Sequence, residues 1–192
     1  MPPISDTRAR PGAEGNFIEP LAFLYQDDGT IPNNPTLPFL VYAKAIDLSG
    51  RTDPAAVIEE TFQANGWNEN MWRNGVYPFP HYHSMINEVI GIASGRVRVR
   101  FGGDNGGELD LEPGDVAVLP AGTGHQRISA TGDLLVVGAY PPAGRYNLCR
   151  GSRAEHARAV KSIPLVPMPE SDPVYGADGP LVALWGKRRA VA

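Results

Sequence analysis

At 192 residues the chain can build one well-cored domain, and its length gives no reason to expect two. A composition 42% hydrophobic and 20% charged is that of an ordinary globular protein, and a net charge of −4 supplies no positive field to recruit nucleic acid or an anionic membrane. The 22 glycines and 19 prolines are spread along the chain as punctuation, which argues against a helical bundle and for many short strands and turns.

Residues 1–15 are polar, rich in Pro, Gly and charge, and read as a flexible segment without the apolar stretch of a secretory signal. With a single cysteine, Cys149, and no run of membrane-spanning length, the expectation is a reduced, cytoplasmic protein. Phe17–Tyr25 and Pro38–Asp47 read as strands joined by "QDDGTIPNNPTL". One helix is expected over Asp53–Asn65: Asp53 can cap it, Pro54 suits its first position, Gly66 can end it, and Val57, Ile58, Thr61 and Phe62 form one stripe. "GWNENMWRNG", with Trp67, Met71 and Trp72, either packs the helix against the rest of the domain or forms a lid. From residue 81 the chain alternates in short runs, "HYHSMINEVIGIA", "RVRVRF", "ELDL", "VAVL", "HQRIS" and "LLVVGAY", with turn signals between them. This pattern predicts an antiparallel sandwich or barrel, in which Arg96, Arg98 and Arg100 point away from the core. A short helix is expected near Ser152–Val160, with His156 exposed on it. A proline-rich extended arm follows, then a last strand at Leu181–Trp185 and a solvated "GKRR" tail. The barrel domain is thus expected over 16–160, and the arm over 161–192, lying on the barrel or across a partner subunit.

The chemistry concentrates in "PHYHSMINEV". Alternate side chains of a strand share a face, so His81 and His83 project together while Tyr82 points the other way. Glu88 is an odd number of residues beyond His83, and a tight turn or bulge in Ser84–Asn87 is needed to bring it to the same side. A fourth donor must come from another strand, and His125 stands at the start of one, after "PAGTG". Three neutral imidazoles and a carboxylate can hold one divalent ion, and an ion that accepts six ligands keeps positions for water or substrate. Iron or manganese suits that donor set, with nickel, zinc or copper also accommodated.

The same residues carry a family resemblance. Gly75, five residues, His81-Tyr82-His83, four residues, Glu88, six residues and Gly95 resemble the first sequence motif of the cupin superfamily at every fixed position. Gly114, five residues, Pro120, one residue, Gly122, two residues and His125 resemble the second. The flanking "QDDGTIPNNPTLPFLVY" and "DPVYG…GPL" are similar, more loosely, to the YjlB-like cupins. The resemblance implies a mainly β fold, a double-stranded β-helix or jelly-roll barrel with one or two short flanking helices. It also implies a metal near one mouth bound at His81, His83, Glu88 and His125, and frequent dimers. The second motif ordinarily closes with Asn where this chain has Ser129, a departure that argues against oxalate chemistry.

Around the metal, Arg127 should share the inward face with His125 and is the candidate to receive a substrate carboxylate or phosphate, an ion pair with an acid being the structural alternative. Ser129 is a further candidate contact. Tyr77 and Phe79 are candidates for the mouth, with core packing the alternative. Cys149 has no nucleophile context and reads as a buried small residue. Three functions follow: a metal-dependent oxidoreductase of dioxygenase or oxidase type acting on a small organic molecule, anionic if Arg127 meets it; a metal-dependent isomerase or lyase on a sugar-like substrate; or a non-catalytic small-molecule binder. No second carboxylate or histidine stands out as a base, which favours the first. The expected partners are a small molecule and a second copy of the chain.

Overall fold

A computed structural model describes residues 17–189, with side chains to residue 186; the expected flexible segment, 1–15, lies outside the described residues. Nine strands run in chain order: β1 (Leu21–Phe23), β2 (Phe39–Tyr42), β3 (Glu69–Asn74), β4 (Glu88–Ser94), β5 (Val97–Phe101), β6 (Gly107–Leu111), β7 (Val116–Leu119), β8 (His125–Ala130) and β9 (Leu135–Tyr140). Three helices accompany them: α1 (Pro54–Ala64), α2 (Arg153–Ser162) and α3 (Pro180–Arg189). The strands form two antiparallel sheets, one of order β1-β2-β7-β4-β9-β3 and one of order β6-β5-β8, giving the mainly β, jelly-roll type of fold expected.

Burial along each strand reports what covers it. β5 alternates: Val97, Val99 and Phe101 are buried, while Arg98 and Arg100 face outward and pair with Asp110 and Glu108 on β6. β2 and β7 are buried at every position, and β4 at all but its last residue, because both faces of the larger sheet are covered. One face packs Phe39, Ile90, Ile92 and Leu119 against Val97, Val99 and Phe101 of the smaller sheet. The other packs Leu40, Val89, Val118 and Val137 beneath α1 and α3.

Helix α1 starts and stops where its sequence signals stand. The Asp53 carboxylate accepts the Ala56 N–H at 3.1 Å, Pro54 takes the first turn, and Gly66 leaves the helix at φ +78°. Ile58 and Phe62 are fully buried, each contributing about 1.5–3 kcal/mol by area. Gly91 on β4 is what lets α1 lie so close: a Cβ there would stand 2.8 Å from Ile58 Cγ2.

The C-terminal segment departs from the sequence reading. Leu181–Trp185 is not a strand but the first part of α3, and the helical backbone carries on through "GKRR". Pro180 is pre-organised for a first helical turn, Asp172 accepts the Leu181 N–H at 3.0 Å, and Leu181 and Trp185, one turn apart, are both fully buried. The arm before α3 is not simply extended. It contains a 3₁₀ turn at Ile163–Leu165 and a tight turn paired between Asp172 and Gly176. Its contacts fall on its own barrel, where the Trp67 indole donates to Ser171 O at 2.9 Å and Asn65 donates to Pro173 O and Val174 O. His156, expected in solvent, is half-buried on α2 with Nε2 2.9 Å from Asp27. Among the described residues no helix is long and apolar enough to cross a membrane.

Candidate metal centre

The alternation expected of "HYH" is present, although only single bridges form there. His81 pairs with His125, each backbone N–H meeting the other's carbonyl at 3.2 and 2.9 Å, and Tyr82 pairs with Cys149 at 3.0 Å in both directions. The two histidines face a cavity of about 460 Å³, while Tyr82 points away into a cluster with Ile31, Cys149 and Ala159. The chain bends through Ser84–Ile86, and Glu88 opens β4 opposite Leu119 of β7, on the cavity side. Gly122 donates its N–H to His83 O at 2.7 Å, and Asn87 accepts Ala121 N–H at 2.9 Å, which ties the bend to the loop preceding His125.

The result is a buried cluster. His81, His83 and His125 each offer a ring nitrogen within 4.8 Å of the others. Glu88 Oε2 stands 3.2 Å from His125 Nε2 and 3.5 Å from His83 Nε2. Every Nδ1 faces a backbone carbonyl: His81 that of Phe79 at 3.0 Å, His125 that of Thr123 at 3.1 Å, and His83 that of Asn147. A carbonyl can only accept, so all three rings hold a proton on Nδ1 and turn Nε2 inward, where a neutral ring presents a free lone pair. Glu88 Oε2 is buried and lacks a hydrogen-bond partner. Anionic oxygen and bare nitrogens held this close among buried groups call for positive charge among them.

A proton can supply part of that charge. Burial opposes charge on both Glu88 and His83, and each overcomes it through its neighbours: the Glu88 carboxylate holds the His83 imidazole above its ordinary range, and His83 and His125 hold the Glu88 carboxyl well below its own. His81, by contrast, is pushed down to about 3 by burial and then by His125, so it stays neutral. A divalent ion would satisfy all four donors at once, which a single proton cannot, and the residues present fit one.

The other oxygen of Glu88 is committed. Tyr140, the last residue of β9, donates its hydroxyl to Oε1 at 2.8 Å, and the Trp72 indole donates to Tyr140 Oη at 3.3 Å. The relay depends on Gly138, where a Cβ would lie 2.1 Å from the Trp72 ring. Burial, and then the adjacent Glu88, raise the Tyr140 phenol far above its usual range, so it remains a donor. Neither Tyr140 nor its role was legible in the sequence; Trp72 lies on edge strand β3 beside a bulge where Asn70 adopts φ +43°, while Trp67 and Met71 of the same segment pack with Ile58 and Phe62 of α1. Tyr140→Phe is expected to weaken metal binding about 10–100-fold, as loss of an outer-shell partner typically does, and to destabilise the metal-free fold by about 1–3 kcal/mol because Glu88 Oε1 loses its buried donor; competition with a chromophoric chelator measures the first and urea unfolding the second.

Of the candidate substrate contacts, Tyr77 stands on the cavity wall, half-exposed. Phe79 does not; it stacks behind Tyr77 at 4.9 Å and carries the Arg150 guanidinium 4.0 Å over its ring. Arg127 is not brought to the wall either. Its guanidinium rests on Gly75, 3.6 Å from where a Cβ would be, its N–H bonds Tyr77 O, and it is Gly75–Tyr77 that face the cavity. Ser129 is exposed opposite Arg98, past a bulge in β8, and does not line the cavity. Tyr146, which sequence reasoning passed over, lines the cavity 5.0 Å from the His83 ring.

The Cupin domain family matches residues 69–137 of this chain. YjlB of Bacillus subtilis (strain 168), itself described as uncharacterized, is 36% identical over 88% of this chain and 98% of its own length. Among solved structures, the chain is similar to one from crystal structures of the DMSP lyases RdDddP and RnDddQII, at 23% identity over 43% of this chain and 41% of that one, TM-score 0.32. It is also similar to acireductone dioxygenase from Bacillus anthracis with a cadmium ion in its active centre, at 20% identity over 48% of this chain and 65% of that one, TM-score 0.34. The chain spans less than two thirds of either solved chain.

Proposed function

The chain belongs to the cupin superfamily, with a YjlB-like relative along most of its length, and from that premise we propose that it is a divalent-metal-dependent oxidoreductase of dioxygenase or oxidase type acting on a small organic molecule. The observation that carries this reading is the buried, unpartnered Oε2 of Glu88 set among three inward Nε2 atoms at the floor of an open cavity. Iron or manganese bound there would supply the electron exchange with dioxygen that such a reaction needs.

The protein's own residues have separate tasks in this reading. His81, His83, His125 and Glu88 hold the ion. Tyr140 keeps Glu88 to one free oxygen, and Trp72, Tyr77 and Tyr146 give the substrate aromatic faces while Asn70 and Asn74 offer amides. Among the described residues, Arg73 is the one guanidinium or ammonium side chain on the wall, and it is spent on Glu59 and Asp53 of the α1 region. This supports a flat, largely uncharged substrate body rather than one anchored by a second cationic group. Among the described residues the wall has no carboxylate or imidazole beyond the four, so no spare base is at hand for proton-transfer chemistry, which weighs against the isomerase or lyase alternative.

The test is to incubate iron-loaded or manganese-loaded protein with a fractionated small-molecule extract in a sealed oxygen electrode, following metabolites by mass spectrometry. The expected result is one compound consumed in step with oxygen. Consumption that continues without oxygen would move the assignment to the isomerase or lyase class, and no consumption at all to a non-catalytic binder. The free, buried thiol of Cys149 is in keeping with a reducing, cytoplasmic setting, which we retain as part of the proposal, together with a homodimer that gel filtration at micromolar concentration can test.

A further inference from the structure

The loop 141–149 runs from the end of β9 past the metal centre, and it is fastened at two points by backbone alone. Arg145 donates its N–H to Met85 O at 3.0 Å, and Cys149 pairs with Tyr82. Between these clamps the carbonyl of Asn147 accepts the Nδ1–H of His83. The Asn147 side chain adds a third fastening, gripping the ligand turn through both its oxygen and its nitrogen. Its Oδ1 accepts the N–H groups of Ser84 at 3.0 Å and Met85 at 3.2 Å, and its Nδ2 donates to Ser84 Oγ at 3.0 Å and Cys149 Sγ at 3.2 Å. His81 and His125 need no such device, because each bonds a carbonyl two residues earlier in its own segment. His83 borrows a carbonyl 64 positions away, so its orientation depends on a second loop being held in register.

We propose that Asn147 is the positioning residue for His83. Its amide locks the 145–149 loop onto the Ser84–Met85 turn, and so keeps the His83 proton on Nδ1 and its Nε2 aimed at the ion. The inference rests on the metal reading above for its purpose, but not for its measurement. Asn147→Ala removes all four side-chain bonds while leaving the carbonyl itself. Asn147→Asp keeps the Oδ1 acceptor for the two N–H groups, replaces the Nδ2 donor by an acceptor that the Ser84 hydroxyl can meet, and adds a negative charge.

Two readouts separate positioning from a general structural role. In metal-free protein, proton–nitrogen NMR should find a slowly exchanging His83 Nδ1–H in the wild type, lost to fast exchange in Asn147→Ala and kept in Asn147→Asp. In competition with a chromophoric chelator, Asn147→Ala should bind Fe(II) or Mn(II) about 10–100-fold more weakly, the range for outer-shell partners, and Asn147→Asp within about threefold of wild type. A His83 Nδ1–H that remains protected in Asn147→Ala overturns the proposal. So does an Asp variant as impaired as the Ala variant. A lower melting temperature with both readouts unmoved likewise reduces Asn147 to a loop tether and overturns it. If the wild type binds neither metal, the functional reading fails by itself, and the NMR comparison still decides whether Asn147 positions the ring.

Discussion

His125→Ala is expected to leave the protein folded and empty: below about a tenth of an equivalent of metal, against one equivalent in wild type purified without chelator. The backbone of residue 125 keeps its two bonds to His81, so the β8 pairing survives the loss of the ring. What disappears is the nitrogen 3.2 Å from Glu88 Oε2, and with it one of three imidazoles in the cluster. Glu88 then faces His83 alone, with a cavity where a donor stood. The thermal readout is independent of elemental analysis. A ligand present at about a thousandfold above its Kd stabilises the native state by about 4 kcal/mol, which in a chain of this size raises the melting temperature by roughly 10 °C. Chelator should lower the wild-type transition by that order and leave His125→Ala unmoved. Equal metal content in the two proteins would mean that His125 is not needed for binding, and the four-donor centre proposed here would go with it.

The second large effect concerns stability. Asp172→Ala should cost about 3–5 kcal/mol, read as a lowered urea midpoint at an unchanged slope. Asp172 is fully buried, yet its carboxylate accepts four bonds: the Tyr42 hydroxyl, the Val174 N–H at 2.8 Å, the Tyr175 N–H at 3.1 Å and the Leu181 N–H at 3.0 Å. One side chain therefore closes the 172–176 turn, caps α3 and joins both to β2. Removing it leaves buried donors unpaired, and each such orphan costs about 1–3 kcal/mol. Asp172→Asn should be nearly as damaging, since its amide nitrogen would confront donors on at least one side. A loss under about 1 kcal/mol would mean that the arm is not docked on its own barrel in solution, and would reopen the idea that it reaches across to another subunit.

These residues also mark how far the amino-acid sequence could be read. Helix α1 was legible to within a residue because its signals are local: a capping carboxylate, a proline and a glycine within fourteen positions, and an apolar stripe at helical spacing. The strands from residue 88 onward were legible because alternation and turn residues recur. Leu181–Trp185 was misread because five apolar residues suit a strand as well as a helix turn, and only burial of positions one turn apart, under a cap from Asp172, resolves the choice. Arg127 was misplaced for a related reason. Alternation gives the face of a strand, but it does not say that Gly75–Tyr77 will occupy the space between that face and the cavity.

The centre itself divides along the same line. Which residues gather at the centre was legible in the sequence, because imidazoles two apart on extended chain must share a side, and a carboxylate and a third imidazole stand where the cupin motifs that the sequence resembles place them. How those groups are made ready was decided only by tertiary structure. The Asn147 carbonyl that orients His83, the Tyr140 hydroxyl that occupies half of Glu88, and the Trp72 indole behind it join residues 52 to 68 positions apart. Hydrogen bonds of this kind act over three ångströms of space and leave no periodicity along the chain, so they exist as information only once the two sheets have closed.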